Sequence, residues 1–249
     1  MFCSLLAYAD LKPETLKGYQ SYIQSQESRL KSQNTSTKDF LWIDQDAERR
    51  QSVRDGEIET EQLKTPNIPG GLIQHWVGGV FIPNVRIDQV IRVDQDYNRH
   101  KILYAPDVAD SRIISHQGNH FTVFLRFRKH KVFTVVLNSE HEVDYQPLAP
   151  GKLFSTSVST KIQEVKDPDT PKEKVLPVGE GMGFLWAMNT YWRMLERDGG
   201  VYAECEAITL ARSVPPGLGG MVAPIIQSLA SESLINTLTI KRKVVSARK

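Results

Sequence analysis

The sequence has almost no cysteine, no long apolar run and no surplus of charge of either sign. Its two cysteines, Cys3 and Cys205, make no CxxC and no repeated spacing, which excludes a disulfide scaffold or a zinc ribbon as the source of stability. Asp, Glu, Lys, Arg or Pro interrupts each apolar stretch well short of the ~20 residues that a bilayer-spanning helix needs. Lysine and arginine (31) nearly cancel aspartate and glutamate (29), leaving a formal charge of +2. That balance selects no strongly charged partner, and with no nucleic-acid motif present a DNA or RNA ligand is not expected. Gly70-Gly71 and Gly78-Gly79 lack the Lys-Ser or Lys-Thr of a phosphate loop, and the Ser-rich stretch 154–160 holds no GxSxG. What remains is an ordinary globular composition: 249 residues, 40% hydrophobic, 24% charged and 8% aromatic. A chain of that length buries roughly 70–75% of the surface it exposes unfolded, enough for a large core without metal or disulfide.

Phe2, Leu5, Leu6 and Ala7 form a short apolar run ending in Ala7-Tyr8-Ala9, with no positive residues before it. Read as the tail of a signal peptide, residues 1–9 would send the protein to the periplasm or out of the cell; read as a frayed terminus, they would leave it in the cytoplasm. Asn34-Thr35-Ser36 is a glycosylation sequon, meaningful only in a eukaryotic secretory pathway.

Leu16, Tyr19, Ile23 and Leu30 recur at helical spacing after Pro13 and predict a peripheral amphipathic helix. The polar run 32–38 ends it, and residues 1–50 are taken as an N-terminal segment preceding a domain over 51–249. Glu57–Leu63 and Gly70–Phe81 read as strands, and Ile87, Val90, Ile91 and Tyr97 as one face of a helix. From Val108 the period drops to two. Phe121, Val123, Leu125 and Phe127 share one strand face and Thr122, Arg126 and Arg128 the other, with Phe124 breaking the alternation. Residues 108–146 therefore predict an antiparallel meander, with another strand after Gly151 and a long charged loop over 166–183. Phe184–Leu195 and Gly200–Arg212 make a final hairpin around Arg197-Asp198-Gly199-Gly200. The apolar repeat from Leu218 to Leu238 predicts a C-terminal helix, kinked or divided at Pro224, whose basic end Lys241-Arg242-Lys243 suits the helix dipole.

Tyr191-Trp192-Arg193, the run Asp198-Gly199-Gly200-Val201-Tyr202-Ala203-Glu204, Leu210-Ala211-Arg212 and Pro215 resemble the closing hairpin of bacterial START-like proteins. With the element order, they make the chain from residue 55 onward similar to the START-like superfamily, which includes polyketide-cyclase-like, plant-allergen-like and ubiquinone-binding proteins. The resemblance implies an α+β helix-grip fold: a curved antiparallel sheet wrapped around a long C-terminal helix, here with an N-terminal helical extension. It also implies an apolar cavity between sheet and helix for a lipid, sterol, isoprenoid or polyketide-like molecule, held without a cofactor. Such a cavity needs inward apolar side chains and a few polar ones. Phe133, Val135, Leu137, His141 and Tyr145 on one alternating strand face, and Trp186, Met188 and Trp192 on another, supply them, with Glu206 a polar candidate. The alternatives are core packing of these residues, a polyketide-cyclase-like enzyme using His141, Tyr145 or Glu206 as acid or base, and a partner-docking protein with no ligand.

Other constellations are weaker. His116 and His120 flank a turn, yet no third ligand is spaced to complete a metal site, and none is assigned. Glu204 and Glu206 share a strand face, where Arg193 or Arg212 from neighbouring strands would make an ion pair in preference to a catalytic dyad. Cys205 reads as a buried inert thiol. Arg126, Arg128, Lys129, His130 and Lys131 form a basic hairpin tip that could touch anionic membrane headgroups transiently.

Overall fold

A computed structural model describes residues 11–36, 38–130, 134–213 and 219–247, with side chains of the last segment described from Ala230 onward. Cys3, the apolar run 2–9, Lys131, Phe133 and Pro215 lie outside these residues. The chain begins with helix α1 (Pro13–Thr35), a short 3-10 turn (Trp42–Gln45) and α2 (Ala47–Arg54). Strands β1 (Glu59–Gln62) and β2 (Gly71–Pro83) lead to α3 (Ile87–Asp94) and α4 (His100–Leu103). Then come β3 (Val108–Gln117), β4 (His120–His130), β5 (Thr134–Ala149), β6 (Lys152–Lys166) and the two-residue β7 (Lys174–Val175). The last elements are β8 (Ala187–Arg197), β9 (Gly200–Arg212) and α5 (Gly219–Ala247).

The nine strands form one antiparallel sheet in the order β1-β2-β9-β8-β6-β5-β4-β3, with β7 added along the end of β6. Asp198 and Gly199, both at positive φ, close the β8–β9 hairpin in two residues, the turn that the Asp-Gly pair predicts. One face of the sheet holds α5, with α3 alongside. Val80, Ile82, Ala203, Cys205 and Met194 pack there against Leu234, Leu238 and Val245 of α5 and Val90 and Val93 of α3. This is the helix-grip arrangement, and α5 is a single helix through Pro224, not two pieces.

The opposite face is covered by the N-terminal segment, which corrects the reading of α1 as peripheral. Tyr19, Ile23 and Leu30 of α1 are buried against Ile73, Phe154, Tyr191, Ile208 and Leu210. Phe40, Leu41 and Ile43 extend the layer over Val77, Phe81 and Tyr202. Period-two alternation gives each strand one residue for either layer, so β2 sends Ile73, Val77 and Phe81 to α1 and its neighbours, and Val80 and Ile82 to α5. Each fully buried side chain of this size contributes about 1.5–3 kcal/mol. At Gly78 a Cβ would stand 3.0 Å from Leu238 Cδ1 and 2.8 Å from Thr60 Cγ2, and at Gly79 one would stand 2.8 Å from Ile43 Cγ2. The Gly-Gly pair is thus a place of close approach on both faces. Among the described residues no helix is long and apolar enough to cross a membrane, which says nothing of a β-barrel.

Candidate ligand cavity

Between the sheet and α5 lies a cavity of about 350 Å³, within the roughly 300–1,000 Å³ range of small-molecule sites. Its sheet wall follows the strand register. Trp76 stands beside Ala207, Ala207 beside Thr190 and Thr190 beside Ser157 on four successive strands. One row along, Cys205 is paired with Trp192, Trp192 with Ser155 and Ser155 with Tyr145. Phe127, Leu137 and Val143 form the apolar flank, α5 closes the top with Leu234 and Lys241, and Phe184 and Leu185 reach in from the loop before β8.

The polar groups collect in two places. At one end, Lys241 of α5 pairs with Asp94 at the end of α3, and its Nζ lies 3.8 Å from the centroid of the Trp192 ring. Beside them the hydroxyls of Tyr97 and Tyr145 are 2.6 Å apart. Burial and the neighbouring Tyr97 and Asp94 push the Tyr145 phenol well above its ordinary value, so it stays protonated and can donate. Burial likewise lowers His100, which keeps that ring neutral at pH 7. On the β5 wall, His141 is fully buried, and burial lowers its imidazole to about 4. The neutral ring has its Nε2 2.9 Å from Ser139 Oγ and its Nδ1 3.5 Å from Ser157 Oγ.

Of the residues singled out in the sequence, Val135, Leu137, His141, Tyr145, Met188 and Trp192 line this cavity. Phe133 falls outside the described residues. Trp186 and Glu206 are corrections: both belong to the α1 face. Trp186 precedes β8, where strand alternation does not yet apply, and packs with Tyr19 and Ile23 of α1. Glu206 has the parity of Ile208 and Leu210, whereas Cys205 and Ala207 turn to the cavity. Glu206 accepts from His75 Nε2 at 2.7 Å and pairs with Arg29 of α1. Burial would raise its carboxyl, but the hydrogen bond from His75 and the charge of Arg29 hold it below the ordinary range. Glu204, one pair along, binds Arg193 Nη1 at 3.0 Å and accepts from the Ile43 amide at 3.3 Å. Its burial outweighs Arg193 and raises the carboxyl to about 7. Arg193, on β8, stands across from Glu204 and also donates to Gln33 of α1 at 2.9 Å. The two glutamates therefore belong to an ion-pair network joining α1 to the sheet, as the expected arginine partner indicated.

The remaining candidates have local partners. His116 Nε2 donates to Gly118 O at 2.7 Å, and His120 Nδ1 lies 2.9 Å from Asp144. Among the described residues no cluster of His, Cys, Asp and Glu could hold a metal. The basic hairpin tip is met by carboxylates: Arg126 pairs with Glu173, Arg128 with Asp169 and Lys129 with Asp107. The Cys205 thiol is pushed far up by burial and remains protonated. Phe124, the residue that broke the alternation on β4, lies under the Arg112 guanidinium at 3.8 Å.

Sequence reasoning missed Gln74, Trp76, Asp94, Tyr97 and Lys241 of the cavity wall. For Lys241 a signal existed, because Leu234, Leu238, Lys241 and Val245 fall on one helical stripe. Its neighbours Arg242 and Lys243 disguised it as a solvated basic end.

Neither a protein-family model nor a curated protein matches the sequence. Among solved structures, the chain is similar to a STAR-related lipid transfer protein from Xanthomonas axonopodis, at 17% identity over 75% of this chain and 98% of that one, with TM-score 0.48. It is also similar to the Zhui aromatase/cyclase from Streptomyces sp. R1128, at 11% identity, 71% and 96% coverage and TM-score 0.48. Human STARD10 matches at 14% identity, 80% coverage of each chain and TM-score 0.47. The helix-grip arrangement of this chain rests on its own strand order and on the seating of α5 against one face of the antiparallel sheet.

Proposed function

We propose that the protein binds one hydrophobic small molecule between the sheet and α5, to sequester or transfer it without covalent chemistry. The observation that carries this reading is the cavity itself, about 350 Å³ of mostly apolar wall with a few fixed polar groups, because well-packed cores leave few voids larger than a water molecule. A single-chain lipid, sterol fragment, isoprenoid or aromatic polyketide suits that volume. The test is native mass spectrometry of the purified protein, followed by organic extraction and by titration of emptied protein with Nile red. A stoichiometric apolar molecule, or Nile red uptake at one site, is expected. Protein that is empty from several expression hosts and takes up no Nile red would overturn the proposal.

A second reading, a cyclase-type enzyme, is favoured by one specific observation: His141 and Tyr145 stand around the same void. The Tyr145 phenol could protonate a carbonyl and the His141 imidazole could accept a proton. Two features count against it. Tyr145 is already bonded to Tyr97, and burial has made His141 a weak base. Turnover of a poly-β-ketone analogue lost in both Tyr145→Phe and His141→Phe, with binding retained, would establish it; binding without turnover in the wild type would remove it.

A further inference from the structure

Among the described residues, two hydrogen-bond donors of the cavity wall have no acceptor. Gln74 and Trp76 lie two residues apart on the α5-facing side of β2, and both line the cavity. Gln74 is 3% exposed, and its Nε2 has no hydrogen-bond partner among the described residues; the same holds for the buried Nε1 of Trp76. An indole N–H can only donate, so what completes it must be an acceptor. Leaving a buried donor unpaired is costly enough that native proteins rarely tolerate it without a ligand or an ordered water to receive it. Two such donors on one strand face, with Cβ atoms roughly 6.5–7 Å apart, are spaced for the edge of one small molecule.

The charges in the same cavity restrict what that molecule can be. Lys241 is paired with Asp94 and Lys129 with Asp107. His141 is held between the hydroxyls of Ser139 and Ser157. Among the described lining residues, no ionised side chain lacks a counter-charge, so a carboxylate or phosphate head would be buried without one, at a high desolvation cost.

We propose that Gln74 and Trp76 form a donor station for an uncharged oxygen acceptor, a ketone, quinone or ester carbonyl, on the ligand of the cavity. The assignment rests on the binding reading above and narrows its ligand to neutral carbonyl compounds. It also gives the ligand a direction: the carbonyl edge lies against β2, and the apolar body extends toward Phe127, Leu137 and Val143.

The test uses two probes of nearly the same shape, 9-fluorenone and fluorene, which differ in one carbonyl. Their dissociation constants are measured by equilibrium dialysis against the full-length wild type and the variants Gln74→Leu and Trp76→Phe. The wild type should prefer fluorenone by about five- to thirtyfold, the range for one or two neutral hydrogen bonds. Each variant should lose part of that preference, and the double variant all of it, with fluorene affinity unchanged or higher. Melting curves verify that each variant is folded, and Trp76→Phe keeps an aromatic ring should Gln74→Leu repack. Equal binding of both probes by the wild type would overturn the station and leave the cavity reading standing. So would a preference that survives in the double variant, which would place the donor elsewhere, at Tyr97 and Tyr145. Retention of neither probe would remove the cavity reading and the station together.

Discussion

Replacing Arg193 with methionine should be among the most damaging single changes outside the apolar core. Arg193 and Glu204 are each 1% exposed and stand directly across the β8–β9 ladder. The substitution fills much of the same volume but leaves Glu204 with the Ile43 amide at 3.3 Å, while Glu206 keeps His75 and Arg29. Stranding one partner of a buried pair costs about 3–5 kcal/mol, and replacing both with apolar side chains recovers most of the loss. For a chain of this size each kcal/mol lowers the melting temperature by ~2–4 °C, so the single variant should melt about 6–20 °C lower. The double variant Arg193→Met, Glu204→Met should return to within about 1 kcal/mol of the wild type. The pH dependence adds a second reading. Burial raises the folded-state carboxyl of Glu204 from 4.5 to about 7, so the folded state holds more protons than the unfolded one inside that window, and stability falls as pH rises through it. Removing Arg193 raises that carboxyl further, so the deficit of the single variant should be larger at pH 8 than at pH 5. Urea denaturation at both pH values measures all three quantities. A single variant within 1 kcal/mol of wild type, a double variant as unstable as the single, or a deficit independent of pH would refute the reasoning, since each contradicts a buried charge left unpaired.

Three further outcomes follow from the cavity. Trp192→Ala should weaken ligand binding more than it lowers the melting temperature, because the ring both lines the void and supports the Lys241 ammonium; unchanged affinity with a lower melting temperature would make Trp192 a core residue only. His141 is depressed from 6.5 to about 4, so the unfolded state binds more protons there. Its contribution is complete above pH 6.5 and is lost as pH falls toward 4, by about 3 kcal/mol in all; His141→Leu should flatten that acid limb in denaturation curves, and an unaltered limb would count against a neutral buried ring. In a Cys3→Ser background, Cys205 should react with Ellman's reagent only as fast as the protein opens, and rapid native-state labelling would contradict its protonated, buried thiol.

The helix-grip order was legible because its signals are local. Period-two alternation marks β4 and β5, Asp198-Gly199 marks the closing hairpin, and the apolar repeat marks α5. Parity alone also divided most of the cavity side chains from the rest: His141, Tyr145, Met188 and Trp192 follow directly from alternation. Alternation cannot say which of two covered faces holds the void. Glu206 was assigned to the cavity face because nothing in the local pattern revealed that α1, nearly two hundred residues earlier, covers the other side. Trp186 is misplaced by starting the strand at Phe184, three residues before β8 begins at Ala187. Gln74 and Trp76 carried no signal either, since an unpaired donor is defined by the absence of a neighbour in space. The peripheral reading of α1 failed for a related reason: its apolar stripe is narrow, and buried Thr15 and Tyr19 complete it through hydrogen bonds to Pro69 O at 2.7 Å and Ile208 O at 3.0 Å.

That contact sets a schedule for synthesis. Tyr19 is made 189 residues before its acceptor Ile208, which lies in the last strand of the sheet. At about 5–20 residues per second, translation leaves α1 without that surface for roughly 10–40 s. During this interval only the earlier-made part of its surface, such as Ile73 of β2, is on hand to cover its apolar stripe, and a holdase that shields the helix would act before Tyr191, Ile208 and Leu210 complete that surface.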